Sequence, residues 1–316
     1  MTIGIPRAML YYKSRYLWDY FFKQMDCDTL ISGNTNKKIL ADGVKYSIDE
    51  CCLPAKVYMG HVYSLIGKCD YILVPRVEGF SSEEKVCVKF NAMYDIVKNT
   101  FRDVKLIDYN IDAKQGAKER TGFIQMGRVL GKSRRQSLAA YNQAKIFQSE
   151  KSRHAAVHQE KLLNNSDKLK ILIVSHPYNT YDNMIGQPIV KAIRLLDGEP
   201  IYADAFDRIT CIEKSKAISQ QLYWTYNKEL LGAIELCRHR IDGIILITAF
   251  PCGPDSLVND LVIRRVKDVP VSNIIVDELQ GEAGLQTRIE SFMDIIKEKR
   301  ISKHGKSNKL SSYGQL

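Results

Sequence analysis

The sequence has no long apolar run, and this absence bears on where the protein acts. A membrane-spanning helix needs roughly 18 or more consecutive apolar residues. The longest apolar runs here, such as the one around residues 244–250, have the length of strands. Residues 1–7 also lack the basic start and the long apolar core of a signal peptide. We therefore expect a cytoplasmic protein that does not act in a membrane.

Several motifs of common catalytic and nucleotide sites are missing as well. No Gly-x-Gly-x-x-Gly follows the first strand-like segment, which disfavours a Rossmann-type dinucleotide site. Gly131-Lys132-Ser133 resembles the end of a phosphate-binding loop, but Met126 stands where that loop requires glycine, and no strand precedes it. His-Glu-x-x-His, Gly-x-Ser-x-Gly and Cys-x-x-Cys do not occur. The zinc-protease, serine-hydrolase and thioredoxin-like patterns are thereby excluded.

The cysteines do not form a disulfide scaffold, because eight of them are dispersed through 316 residues. Four lie inside or beside apolar segments, where a reduced cysteine behaves as a small buried hydrophobe. They are Cys27, Cys69, Cys211 and Cys237. The remaining cysteines are therefore the ones with possible chemistry.

The positive charge is concentrated in two segments. The net charge is +10, yet residues 114–170 alone carry +9 and residues 297–309 carry +5, which leaves the rest mildly acidic. A nucleic-acid-binding protein more often carries a basic face with interleaved aromatics on its folded core, so nucleic-acid binding is disfavoured. The alternatives are a docking surface for an acidic protein partner and a plainly solvated helix surface.

Strand-like and helix-like segments alternate in both halves of the chain, which predicts an α/β fold with parallel sheets. We expect two Rossmann-like or flavodoxin-like domains with about four parallel strands each, joined by a basic helical connector broken near Gly131. The predicted strands are residues 2–5, 29–32, 71–75 and 104–108, then 170–175, 199–203, 243–248 and 272–276. The predicted divisions are 1–110, 111–167, 168–300 and a disordered basic tail at 301–316.

Three cysteines share one local context, since each follows a strand-like segment and opens a helix-like one. They are Cys52, Cys87 and Cys252. Pro54 and Pro254 stand two residues after the first and the last, where proline favours a helix start. A helix N-terminus lowers the pKa of a thiol, so three such thiolates would be able to hold a metal centre with one position open. Their separations match no ferredoxin or zinc-finger spacing, and ordinary loop cysteines are the alternative.

A set of motifs spread over residues 3 to about 295 resembles a known family. The motifs are Ile3-Gly-Ile-Pro-Arg-Ala8, Cys52-Leu-Pro-Ala-Lys56, Gly60-His-Val62, Val74-Pro-Arg76, Pro251-Cys-Gly-Pro-Asp-Ser-Leu257, Asp277-Glu278 and Gly281-Glu-Ala-Gly-Leu-Gln-Thr-Arg288. They are similar to those of the acyl-CoA dehydratase activase-related family, relatives of 2-hydroxyacyl-CoA dehydratase subunits and of other ATP-dependent iron–sulfur reductases of anaerobes.

The resemblance implies a [4Fe–4S]-type cluster in the cleft between the two α/β domains, held by Cys52, Cys87 and Cys252. One departure is Val88, which follows Cys87 where the family pattern has Cys-Pro-Lys. The Leu-Pro register assigns the first ligand to Cys52, and Cys51 remains an alternative ligand or a gate. Three thiolates would leave one iron for water, hydroxide or a substrate oxygen.

The resemblance also implies a reaction and partners. An ATP-hydrolysing iron–sulfur activator protein would deliver a low-potential electron for radical dehydration, or a related reduction, of an acyl-CoA-type substrate. The chain would then be a lyase or a component of an ATP-coupled reductase, beside a possible second dehydratase-like subunit. The alternatives are a non-catalytic electron-transfer or accessory subunit and, more weakly, a zinc-bound binding protein.

Other polar residues near strand ends are secondary candidates. His176 and Glu282 are candidates for a catalytic role, the former because a histidine in a cleft can act as an acid or base. Candidates for contact with the substrate, or for contact with the cysteine ligands of the cluster, are Arg7, Lys56, Arg76, Lys89, Ser256, Thr287 and Arg288.

Overall fold

The structure is a computed structural model that describes residues 1–81, 83–165, 167–279 and 281–311. The side chains of Glu282 and of residues 302–311 fall outside that description. Two four-stranded sheets, each wholly parallel, are flanked by helices. This confirms the predicted α/β class with two parallel-sheet units.

The first half and the connector are built as follows. The strands are β1 (Thr2–Ile5), β2 (Asp28–Ile31), β3 (Tyr71–Leu73), β4 (Arg76–Gly79), β5 (Leu106–Ile107) and β6 (Asn110–Asp112). The helices are α1 (Tyr11–Gln24), α2 (Lys37–Lys45), α3 (Leu53–Leu65) and α4 (Lys89–Thr100), followed by the connector helices α5 (Glu119–Val129) and α6 (Arg134–Asn165). The break between the connector helices falls at Gly131, as the sequence predicts.

The second half repeats the alternation. Its strands are β7 (Leu169–Val174), β8 (Gly198–Tyr202), β9 (Gly243–Ala249) and β10 (Val271–Val276). Its helices are α7 (Pro177–Thr180), α8 (Gln187–Leu195), α9 (Arg208–Lys214), α10 (Thr225–Cys237), α11 (Gly253–Arg265) and α12 (Glu282–Ser311). No helix among the described residues combines the length and the apolarity that a membrane crossing requires.

The two sheets share one topology. The first has the order β2-β1-β3-β5 and the second the order β8-β7-β9-β10, so in each the first strand lies between the second and the third. The chain therefore reverses its direction of winding between β1 and β3, and again between β7 and β9. In open parallel sheets, ligands bind outside the carboxyl ends of the strands at such a switch point. The fold thus designates the loops after β1, β3, β7 and β9 as candidate ligand positions.

Two features differ from the sequence-based expectation. The short strands β4 and β6 form a small parallel sheet of their own; they carry polar residues and no apolar run, so no pattern signals them. Residues 301–311 are helical and continue α12, although we expected disorder from residue 301. A helix that already exists gains one hydrogen bond for each added residue, and this segment has no proline. Residues 312–316 lie outside the described residues, and the divisions at 110 and 167 stay a prediction.

Helix α3 is buried almost throughout and lies against α2 at very short range. A side-chain carbon added at Gly60 would stand 1.9 Å from the carbonyl oxygen of Ile39, and one added at Gly43 would stand 2.0 Å from that of Lys56. Only glycine permits backbones to approach so closely. The crossing therefore fixes how close α3, which begins after Cys52, lies to α2.

Polar contacts join the two halves of the chain. Leu53 N–H donates to the carbonyl of Phe250 over 2.9 Å, and the Lys56 ammonium pairs with Glu278. The Thr35 hydroxyl donates to Asp182. A single hydrophobic cluster also includes residues from both sheets. The halves are therefore joined by backbone, ionic and apolar contacts together.

His61 is fully buried in the same interface. Its Nδ1 lies 2.9 Å from Ser32 Oγ, and its Nε2 lies 2.9 Å from Thr35 Oγ1. Because the Thr35 proton goes to Asp182, Nε2 must donate to Thr35 and Nδ1 must accept from Ser32. A neutral imidazole satisfies both contacts, and burial, helped by the charge of Arg7, lowers the pKa of His61 to about 3.

We predict that Gly60→Ala destabilises the protein. The added methyl must displace the α2 backbone, and overpacking of this kind costs about 1–3 kcal/mol. Urea denaturation should show the loss as a lower midpoint. Gly33→Ala is the matched control, because nothing lies within 4 Å of an added carbon there. Equal midpoints for the two variants would contradict the close packing of α2 and α3.

We predict that His61 makes the fold acid-sensitive. In the unfolded chain its pKa is about 6.5, well above the folded value of about 3. The unfolded state therefore binds the proton first as the pH falls, and the stability present above pH 6.5 is lost progressively toward pH 3. The maximal slope is about 1.4 kcal/mol per pH unit.

The measurement compares wild type with His61→Gln by urea denaturation at several pH values between 7 and 4.5. Buried carboxyl groups with raised pKa values, such as Asp182 and Asp204, act in the opposite direction but are common to both proteins. The difference in stability should therefore shrink on acidification. A constant difference would show that His61 takes up a proton as readily in the folded state.

Candidate functional site

Three loops carry the three candidate cysteines to helix starts. Cys52 is the residue before the first turn of α3, and Cys252 holds the same place before α11. Both have extended backbone conformations, and both are followed by a proline in the first helical turn. Cys87 lies two residues before α4. The local prediction that these thiols stand at helix N-termini is therefore met.

The three cysteines line one cleft. Cys52 and Cys87 come from the first half and Cys252 from the second, so the cleft lies between the two α/β units. Lys89, His176 and Asp255 also line it. Its walls include the rings of Phe90, Tyr178, Trp224 and Tyr226. A thiol-rich, largely apolar cleft with a few polar groups has the character of a cofactor or ligand site.

The thiol pKa values differ from the sequence-based expectation. We expected the helix N-termini to lower them, but burial raises the pKa of Cys52, Cys87 and Cys252. Backbone N–H groups at the helix starts act in the lowering direction and are outweighed. Negative neighbours add to the rise, for example Asp255 beside Cys252. Without a metal these thiols hold their protons, which a metal would have to displace on binding.

A buried acid–base pair lies next to Cys252. His176 Nε2 is 2.9 Å from Asp255 Oδ1, and Asn227 Nδ2 donates to the same oxygen over 2.9 Å. Burial alone would raise the pKa of Asp255, but His176 and the hydrogen bonds from His176, Asn227 and Cys252 hold it below its usual value. The ring of Tyr178 stacks on His176 with centroids 5.0 Å apart. This pair is able to hold a proton beside the cleft.

Lys89 and Cys51 occupy the boundary of the cleft. Lys89 Nζ lies 3.4 Å from Cys51 Sγ. Lys89 lines the three-cysteine cleft, whereas Cys51 lines a second cavity beyond it. Cys52, and not its neighbour Cys51, therefore shares the cleft with the other two cysteines.

Two of the predicted basic residues lie away from the cleft, each with partners of its own. The Arg7 guanidinium bonds to Asn34, and its backbone N–H donates to Ser32 Oγ over 2.8 Å. Arg76 forms a bidentate pair with Asp95 at 2.7 and 2.9 Å. A position after a strand end therefore does not by itself bring these side chains to the cleft.

The other secondary candidates have structural contacts or remain undescribed. Lys56 is 4% exposed and pairs with Glu278. Ser256 Oγ donates to the carbonyl of Cys252 over 2.7 Å, so it supports the start of α11. Thr287 and Arg288 are exposed on α12. Glu282 opens that helix, but its side chain lies outside the described part of the structure.

The sequence reasoning missed Asp255 and Asn227. Asp255 was within reach, because it lies three residues after Cys252 in the Pro-Cys-Gly-Pro-Asp-Ser motif, on the first turn of α11. Asn227 carries no local signal, since it lies within α10 and reaches Asp255 only in the folded chain.

No three Cys, His, Asp or Glu side chains, within the ranges that the structure describes, are grouped so that they could hold a single metal ion. The zinc alternative therefore receives no support from the ligand geometry.

The comparisons with known proteins give one informative match. No curated protein matches the chain. A solved structure titled "Crystal structure of ZnuA" aligns over 94% of this chain and 97% of that chain, with 10% sequence identity and a TM-score of 0.28, a likeness from which we draw nothing. The profile of one protein family matches residues 2–206, about two thirds of the sequence. The chain thus belongs to the family described as the CoA enzyme activase uncharacterised domain.

Proposed function

We propose that the chain is an iron–sulfur protein that receives a low-potential electron from an ATP-dependent activator. It would use this electron in the radical dehydration or reduction of an acyl-CoA-type substrate. The observation that carries the proposal is the convergence of three cysteines, from three separate loops of both halves, on one cleft. Membership of a family described by CoA enzyme activation supports the link to acyl-CoA chemistry.

The donor set of the cleft is three cysteine thiols. Cysteine thiolate is the usual ligand of iron–sulfur clusters, and in a four-iron cluster each thiolate binds a different iron. Cys52, Cys87 and Cys252 would hold the cluster. When bound, it supplies a one-electron donor and an iron able to act as a Lewis acid.

The other residues of the cleft have assignable tasks. The His176–Asp255 pair holds a proton next to Cys252. Asn227 fixes the Asp255 carboxylate through the hydrogen bond to Oδ1. Lys89 presents an ammonium group to an anionic ligand, and the aromatic walls restrict water. These residues orient and protect a reaction centre, whatever the substrate.

An accessory electron-transfer subunit is the second candidate, and the connector favours it. Residues 149–155 in the middle of α6, nearly two helical turns, are all exposed. They belong to the segment that carries a net charge of +9. A solvated basic helix suits docking to an acidic protein surface. Such a subunit would bind its partner but no acyl-CoA.

We predict that protein purified without oxygen is brown and holds about four irons and four sulfides per chain. Cys52→Ala, Cys87→Ala and Cys252→Ala should each remove most of the iron and the visible absorption. The measurements are visible spectra and iron and sulfide contents.

Cys51→Ala and Cys69→Ala are the matched controls. The former removes the adjacent thiol that lies outside the cleft, and the latter removes a half-buried thiol in the turn between α3 and β3. Both should keep the colour. A colourless protein that resists reconstitution with iron and sulfide would contradict the redox proposal. Loss of colour in Cys51→Ala would instead identify Cys51 as a cluster ligand.

A further inference from the structure

A second cavity, of about 390 Å³, lies beside the three-cysteine cleft. It is bounded by the end of α2, the loop from Tyr46 to Cys51, and the facing sides of α3 and α4. Its interior is mainly apolar. Ile48, Ala55, Met59, Met93 and Ile96 line it. This volume and lining are those of a small-molecule site, and methionine side chains adapt to irregular apolar ligands.

Among the described residues, the charged groups that line the cavity are all positive. Two lysines, Lys45 and Lys89, are among its lining residues, and no acidic side chain is. This positive charge favours an anionic ligand.

Lys89 identifies the end of the cavity that lies next to the cleft. It is the lysine that lines both the cavity and the cleft, and its ammonium lies 3.4 Å from Cys51 Sγ. The end of the cavity near Lys89 therefore faces the cleft, while Met59 and Ile96 line its apolar part. A ligand that satisfies both ends has an anionic oxygen head and an apolar chain.

We infer that this cavity binds a carboxylate carried on an apolar chain, with the carboxylate at Lys89 and Lys45 and the chain against Met59, Met93 and Ile96. The inference goes beyond the proposed function, because none of the three cleft cysteines lines the cavity. Binding requires no bound cluster and no electron.

The experiment is a titration of the full chain, carrying ¹³C-methyl-labelled methionine, with octanoate under reducing conditions. The Met59 and Met93 methyl signals should shift, whereas that of Met9, which lines the cleft but not this cavity, should not. 1-Octanol and octylamine have the same chain without the negative charge, and each should bind at least about tenfold more weakly, since hydrogen bonds to charged groups contribute about 1.5–3 kcal/mol.

Two variants test the assignment of the ends. Lys89→Gln should weaken octanoate about tenfold or more and leave 1-octanol unchanged. Ile96→Trp should fill the apolar part of the cavity and weaken the binding of both octanoate and 1-octanol. An unchanged pattern of the other methionine methyl signals would show that each variant is folded. Equal affinity for octanoate and 1-octanol, or shifts confined to Met9, would overturn the inference.

The same titration on Cys52→Ala separates this inference from the proposed function. That variant should bind octanoate like wild type even though it cannot hold a cluster. Loss of octanoate binding in a colourless but folded Cys52→Ala protein would overturn an independent carboxylate site.

Discussion

The hydrogen bond from Leu53 N–H to the carbonyl of Phe250 is the contact on which the cleft depends. It is 2.9 Å long and joins the residue after Cys52 to a residue two positions before Cys252. The two thiols come from opposite halves of the chain, so their proximity requires a fixed inter-half contact. A backbone bond at a helix start satisfies an N–H that the helix cannot pair internally. The bond that places the cysteines thus also completes the start of α3.

The burial of α3 creates further contacts that hold the two halves together. Since almost every residue of the helix is buried, its polar groups must find partners in neighbouring elements. Lys56 finds Glu278 in the second half, and His61 reaches Asp182 through Thr35. Removing one member of such a pair leaves the other unpaired in a poorly solvated place. The halves are consequently bound to each other by the polar requirements of one helix as well as by their common apolar cluster.

The sequence predicts local features of this protein well and tertiary ones poorly. All eight strands of the two larger sheets are found near the predicted positions, because fully buried parallel strands are continuous apolar runs, as in β9. The helix starts at Cys52 and Cys252 follow from proline placement. The thiol pKa values do not follow, because burial depends on both halves and outweighs the helix N-terminus. Likewise Arg76 ends near a strand terminus, but Asp95, nineteen residues away, decides where its guanidinium points.

Lys89 links the two cavities and separates their chemistry. A cleft lined by thiols whose pKa values are raised favours neutral occupants until a metal displaces the protons. If the proposed cluster binds, its thiolates would make the cleft repel anions. An ammonium group at the boundary offsets this repulsion on the cleft side and attracts a carboxylate on the other. Lys89 follows Cys87 by two residues and begins α4. The same loop therefore places a thiol in the cleft and an ammonium group at the second cavity. A movement of this loop would displace both groups together.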